Sequence, residues 1–160
     1  MTLPIPTDLP FAVGPLLSGS LRLLWPQRAS LLRAMALTSA PLYAVFAGMG
    51  GQLETLRKLA DHLGVAPRVR FLGHVPRDEK LAWYAHASMV FFGPLDEDYG
   101  YVTLEAMLSS KPVVTCRDSG GPLEFVRHGD NGMICEPRPE AIAQAIDELW
   151  SHPARARDMG

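Results

Sequence analysis

Cysteine is almost missing from this chain. Of 160 residues only Cys116 and Cys135 carry a thiol, nineteen positions apart and each at the end of a strand-like run. That spacing fits no zinc or redox motif, so buried, reduced thiols in a cytoplasmic protein are expected. An excess of charge is missing too. Fifteen Lys and Arg face 17 Asp and Glu, a net charge of −2, which excludes a nucleic-acid surface and a basic membrane patch. Long apolar runs are absent: "FAVGPLLSGSLRLLW" is short and interrupted by Arg22, which argues against a membrane span. The opening "MTLPIPTDLP" has neither a basic region nor an unbroken apolar stretch, so no signal peptide is expected. There is no internal repeat and no low-complexity tract.

What is present is an alternation of β-rich and helical segments. From residue 42 to 48, "LYAVFAG" reads as a strand, and Leu53, Leu56, Leu59, Ala60 and Leu63 then recur at helical spacing before Gly64. "RVRFLG" (68–73) is a second strand, followed by a short helix that Asp78 can cap and that carries Leu81 and Tyr84. "SMVFFG" (88–93) is a third strand, residues 101–109 a helix, "KPVVTC" a fourth strand, and "GGPLEFVRHG" a short helix with Pro122 suited to its first position. "NGMICE" is a fifth strand, and Pro139 opens a helix with Ala141, Ile142, Ala145, Ile146 and Leu149 on one face. Upstream, "RASLLRAMALTSA" (28–40) reads as a helix, "FAVG" (11–14) as a candidate preceding strand, and the stretch between them as irregular. Such alternation predicts an α/β fold, a Rossmann-like doubly wound parallel sheet whose ligands bind outside the carboxyl ends of the strands.

One stretch at such an end concentrates chemistry. In "GPLDEDYGYVTLEAMLSSKPVVT" (93–115), Glu97 and Glu105 are separated by seven residues, and Gly100 lets the chain turn into a helix starting near Tyr101. The first N–H groups of a helix have no intrahelical partner and attract an anion, with the dipole adding about 0.3–1 kcal/mol. A diphosphate is a natural guest. Glu105, one turn further in, can accept hydrogen bonds from both hydroxyls of a ribose diol. Glu97 in the entry loop would lie across the phosphate, where an attached sugar sits. A glutamate pair of this spacing also arises by chance, and acids near a helix start serve plain capping.

The run "EDYGYVTLEAMLSSKPVVT", then "DSGGPLEFVRHGDNGMICEP", preceded by "VFAGMGG" and "RVRFLGHVPRDEKLAWYAHASMVFFGPLDEDYG", resembles the C-terminal half of retaining GT-B glycosyltransferases of family 4, over residues 31 to 160. The resemblance implies a nucleotide-diphosphate sugar as donor, such as a UDP- or GDP-sugar, transfer of its sugar with retention of configuration, and no cofactor or essential metal. By that pattern Glu97 contacts the donor sugar and is the catalytic position, and Glu105 holds the ribose. The backbone of Gly100, Tyr101 and Val102 meets sugar and phosphate, and Gly73, His74 and Val75 border the base. "SGGPLEF" (119–125) either approaches donor or acceptor or is a tight turn. His62, His86, His128 and His152 are expected to be without function, Trp83 and Tyr84 to serve packing, and "GMGG" (48–51) to be a strand-to-helix turn.

Two departures qualify the expectation. An N-terminal acceptor domain is expected to be absent, since 160 residues cannot hold both halves, and the chain stops at "ARARDMG" where the family continues into a further helix. Residues 1 to 30 are expected to be an irregular segment with a degraded first strand, and 31 to 160 the nucleotide-sugar-binding domain. The family also clamps the diphosphate with an arginine after a glycine and with a lysine shortly beyond. Here Pro15 follows Gly14 and the first lysine is Lys58, leaving Arg22 or Arg28 as substitutes. The expected function is therefore the donor-binding half of a hexosyltransferase-type glycosyltransferase, weak or inactive as an isolated chain and dependent on a separate acceptor-binding domain. The alternative is a non-catalytic nucleotide-sugar-binding or interaction module, which an apolar crevice near Trp150 and residues 1–30 would favour. A sugar-nucleotide epimerase of the same fold ranks below both.

Overall fold

Alternating apolar residues on short strands require cover on both faces, and the chain supplies it with helices of two kinds. The computed structural model describes residues 11–13, 25–48 and 51–160, with the backbone alone for 11–13 and 25–28. Six strands form one parallel sheet: β1 (Phe11–Val13), β2 (Tyr43–Ala47), β3 (Val69–Gly73), β4 (Met89–Phe91), β5 (Val113–Cys116) and β6 (Gly132–Cys135). Their order across the sheet is β3-β2-β1-β4-β5-β6, so the direction of winding reverses between β1 and β4. In doubly wound sheets that reversal opens a crevice at the carboxyl ends of the two central strands.

Strand residues alternate between two cores as a pleat dictates. Ala44 and Phe46 of β2, Met89 and Phe91 of β4, and Val114 and Cys116 of β5 pack with helices α1 (Trp25–Leu37), α2 (Leu53–His62), α6 (Pro139–Ser151) and α7 (Pro153–Met159). Val45, Ala47, Val90, Phe92 and Val113 face the other way, onto Trp83 and Tyr84 of α3 (Arg77–His86) and Val102 and Ala106 of α4 (Tyr101–Leu108). A 3-10 turn (Ala66–Arg68) precedes β3, and the short α5 (Pro122–Phe125) follows β5.

Several expectations need correction. Residues 25–30, placed in the irregular segment, belong to α1; the candidate strand at 11–14 is found as Phe11–Val13, paired on both sides, to β2 and β4, at the centre of the sheet. Gly14, Pro15 and Arg22, and the side chain of Arg28, lie outside the described residues, as do Met49 and Gly50 of the glycine-rich turn. Asp78 does not cap α3: Pro76 occupies the N-cap position and Asp78 falls in the first turn. The terminal helix α7 was unforeseen; its Ala156 and Met159 are buried against the main core. Cys116 is buried as expected but Cys135 only partly, and the register places them side by side on β5 and β6. The hydrogen bond between the two sulfurs, together with burial, pushes the Cys116 thiol up and keeps it protonated.

A carboxylate ties α6 to the end of α1. Asp147 accepts the Thr38 hydroxyl and the Ala40 N–H on Oδ1, the latter at 3.1 Å, and the Ser39 N–H on Oδ2 at 3.2 Å. Burial alone would raise this carboxyl, but these donors outweigh burial and hold it below its usual value. A depressed carboxylate contributes stability above the unfolded value of about 4 and loses it as pH falls through the lower folded value. Asp147→Ala should therefore lower stability by about 1–3 kcal/mol at neutral pH. The gap to the parent chain should close in acid. Denaturant melts across pH check this, and a gap that stays constant from neutral pH into acid contradicts it.

Candidate functional site

Glu97 sits in the loop after β4, and the backbone of that loop is pinned from one side. Asp96 donates its N–H to the Asp118 carbonyl at 2.8 Å and Glu97 its own to Ser119 at 3.0 Å, while Gly121 returns an N–H to the Glu97 carbonyl at 2.6 Å. These bonds continue the β4–β5 pairing past the strand ends, with Glu97 opposite Gly120 in a parallel bridge. The Thr115 hydroxyl donates to the Phe92 carbonyl at 2.7 Å, and the Ser119 hydroxyl accepts the Cys116 N–H at 3.1 Å, which braces the second loop in turn. The glycines of "SGGPLEF" are explained here. A Cβ on Gly120 would lie 2.6 Å from the Glu97 carbonyl oxygen, one on Gly121 would lie 2.6 Å from that of Asp98, and Gly120 has φ +72°. The segment is a tight turn, drawn against the Glu97 loop by the lack of side chains, and its Pro122 packs on Gly100 at the mouth of α4.

From this platform the chain enters α4. Gly100 occupies the N-cap in the left-handed region at φ 74°, with no side chain capping the helix. Close packing restricts Gly100 as well: a Cβ there would lie 2.8 Å from Pro122 Cγ at the start of α5. Thr103 donates its N–H to the Gly100 carbonyl at 2.8 Å, closing the first turn. The N–H groups of Tyr101 and Val102 precede the first possible intrahelical bond and remain available to a ligand.

Glu105 lies on the second turn of α4 and faces α3. Lys80 Nζ contacts its Oε1 at 2.5 Å and the Tyr84 hydroxyl donates to its Oε2 at 3.0 Å. Tyr84 is fully buried, and burial first, then the adjacent carboxylate, pushes its phenol well above the usual value, so it remains a donor. Each carboxylate oxygen has two lone pairs, so Glu105 keeps acceptor capacity, and with 32% of its side chain exposed it presents an open edge. Residue typing and spacing missed Lys80 and Tyr84. The signal was their separation of four on one helix, which places a cation and a phenol on the same face.

The loop Gly73–Val75 ends β3 and leads into α3. Gly73, at φ +70°, accepts the Gly48 N–H on its carbonyl at 2.6 Å; His74 is exposed and Val75 packs against the second core. Because Lys80 stands in the first turns of α3, Glu105 is tied to the helix that this loop begins. Glu97, Gly100, Tyr101, Val102, Glu105 and Gly73–Val75 are thus all carried on segments that leave carboxyl ends of the sheet or enter the next helix there. No helix among the described residues is long and apolar enough to cross a membrane.

A fold of this strand order, with a helix mouth at the switch between its halves, defines a Rossmann-like α/β domain, here the C-terminal half of a GT-B fold. A model of the family described as glycosyl transferases group 1 matches residues 28–160, and the chain belongs to that family. Among curated proteins it is similar to a GDP-mannose-dependent alpha-(1-6)-phosphatidylinositol monomannoside mannosyltransferase of Mycobacterium tuberculosis, 41% identical over 125 residues that make up 72% of this chain and 32% of that one. It is also similar to the human alpha-1,3/1,6-mannosyltransferase ALG2, 32% identical over 107 residues, 67% of this chain and 26% of the other. Among solved structures, Anabaena HepE in complex with UDP and glucose superposes with a TM-score of 0.82 at 28% identity, covering 96% of this chain and 42% of that one. The catalytic domain of cholesterol-alpha-glucosyltransferase from Helicobacter pylori, at 20% identity and a TM-score of 0.78, shares the fold over 94% of this chain and 92% of its own. The chain spans about a quarter to a third of the length of the curated relatives it matches.

The pinned loop makes a direct prediction. Gly120→Ala forces a methyl group against the Glu97 backbone in an unfavourable φ region and should lower stability by about 1–3 kcal/mol. Thermal melting checks it, and a melting temperature equal to that of the parent chain contradicts the packing described.

Proposed function

We propose that the chain is the donor-binding half of a retaining glycosyltransferase, taking a UDP- or GDP-sugar and handing the sugar to an acceptor held by a separate domain. The observation that carries this reading is α4: a helix opened by an uncapped left-handed Gly100, with Glu97 pinned at its entry and Glu105 braced inside it. Tyr101 and Val102 N–H groups would take the diphosphate, and Glu105 would accept the ribose hydroxyls. Gly73, His74 and Val75 would border the base. Glu97 would contact the donor sugar as the catalytic position. Attack on the anomeric carbon would come from the face the nucleotide leaves, with the helix amides stabilising the departing diphosphate. This reading carries no cofactor, no essential metal and a cytoplasmic location. The nucleotides named for the relatives, GDP-mannose in the mycobacterial enzyme and UDP in the Anabaena complex, support a nucleotide-sugar donor. Alone, the chain is expected to bind donor and transfer sugar weakly or not at all.

A second reading has an observation of its own. A cavity of about 640 Å³ lies at the amino ends of β4 and β5, away from the mouth of α4, lined by Met89, Lys111, Leu149, Trp150, Ala156 and Arg157. This fits an interaction module in which the chain works by docking through the Trp150 side.

Calorimetry with UDP- and GDP-sugars separates the two. Each hydrogen bond to the Glu105 carboxylate is worth about 1.5–3 kcal/mol, so Glu105→Ala should weaken nucleotide binding by at least about tenfold. Binding of neither nucleotide by the parent chain contradicts the donor site and leaves the module.

A further inference from the structure

We propose that Tyr99, Tyr101 and Phe125 form a stacking platform beside the mouth of α4 for the pyranose ring of a neutral sugar, the reacting end of an acceptor whose remaining contacts lie on the separate domain. The inference rests on the donor reading for the identity of that sugar as acceptor; the platform itself stands on the geometry of the rings. Tyr99 is the central ring, its centroid 5.0 Å from that of Tyr101 with planes 36° apart, and 5.8 Å from that of Phe125 with planes 58° apart. Tyr99 and Tyr101 are 50% and 62% exposed, whereas Trp83, Tyr84, Phe46, Phe91 and Phe92 are buried. Two exposed rings set against the part-buried Phe125 make one contiguous apolar patch, the kind of surface that marks an interaction site.

The position of the cluster points to the ligand. Tyr99 and Tyr101 flank Gly100, and Phe125 ends α5, whose Pro122 packs on Gly100. The rings therefore stand at the point where the donor sugar would leave its phosphate. A pyranose suits such a surface because its axial C–H groups form an apolar, weakly positive face that meets the negative face of an aromatic ring, while its hydroxyls radiate outward as donors. The neighbouring side chains are acceptors: Asp96, Glu97 and Asp98 precede Tyr99 directly, and Glu124 precedes Phe125. Neither Lys nor Arg occurs between residues 81 and 110, and Arg127, two residues past Phe125, is paired with Asp130 at 2.6 Å. Carboxylates carried on the same two loops can accept hydroxyl protons and disfavour a charged sugar on the rings, while a diphosphate would meet the helix amides, so a neutral sugar is favoured over an acidic one for stacking.

The test uses the 160-residue chain with labelled aromatic side chains, titrated with methyl α-D-glucopyranoside and methyl α-D-mannopyranoside, and with methyl α-D-glucuronide as the anionic counterpart. The ring resonances of Tyr99, Tyr101 and Phe125 should shift with at least one neutral pyranoside, and saturating the ring protons should transfer magnetisation to that sugar's C–H protons. Losing one stacked ring should weaken binding by about fivefold in Tyr99→Leu, while Tyr99→Phe should stay within about twofold of the parent chain. The glucuronide should bind several-fold more weakly. Silent rings with both neutral sugars, unchanged binding in Tyr99→Leu, or a glucuronide that binds equally well overturns the proposal; should Tyr99→Leu fail to fold, the parent chain's ring shifts decide. Nucleotide calorimetry on the same sample keeps the two readings apart. Nucleotide binding with silent rings overturns the platform alone, and pyranoside binding at the rings without nucleotide binding overturns the donor site alone.

Discussion

Two loops that leave neighbouring strands and stay zipped together are the constraint on which the rest of this molecule depends. The carboxyl ends of β4 and β5 would normally diverge into separate connections. Here the backbone of residues 96–97 remains paired with that of 118–121, and Gly120 and Gly121 allow an approach that no side chain would permit. The pairing fixes Glu97, fixes the entry to α4, and places α5 against Gly100. A helix mouth attracts anions wherever it occurs; what sets this one apart is that its surroundings are held by backbone hydrogen bonds rather than by flexible side chains.

The second element of order is the carboxylate inside α4. An unpaired acid near a diphosphate would repel its ligand. Lys80 balances the Glu105 charge from α3, and the buried Tyr84 hydroxyl orients the second oxygen. The acid is thereby presented as a hydrogen-bond acceptor and not as a bare charge. The two faces of the sheet divide the labour: α1, α2, α6 and α7 build the larger core, and α3 and α4 build the smaller one that also carries the site.

Much of this was legible in the sequence because periodicity is a local signal. Strands β2 to β6 and the helices between them follow from apolar spacing and from glycine and proline at their ends, and the Glu97–Gly100–Glu105 spacing marked the candidate site before any fold was known. The misses have a common cause. Phe11–Val13 was legible as a strand, but its place at the centre of the sheet comes only from its neighbours β2 and β4. Tyr84 packs in the core as its sequence context suggests, but its tie and that of Lys80 to Glu105 could not be read because their partner lies 21 and 25 residues away. The glycine pair at 120 and 121 was ambiguous for the same reason, since the atoms that forbid a Cβ belong to another loop. Cap chemistry misled at Asp78, where Pro76 ends the preceding extended segment and the helix starts without a side-chain cap.

The central claim is that the first turn of α4 grips the phosphates of a nucleotide. Backbone amide chemical shifts of the chain titrated with UDP and GDP test it most directly. The account predicts that the amides of Gly100, Tyr101 and Val102 move together with those of Gly73 to Val75. Shifts that leave α4 untouched and gather instead around Trp150 and α7 would contradict it.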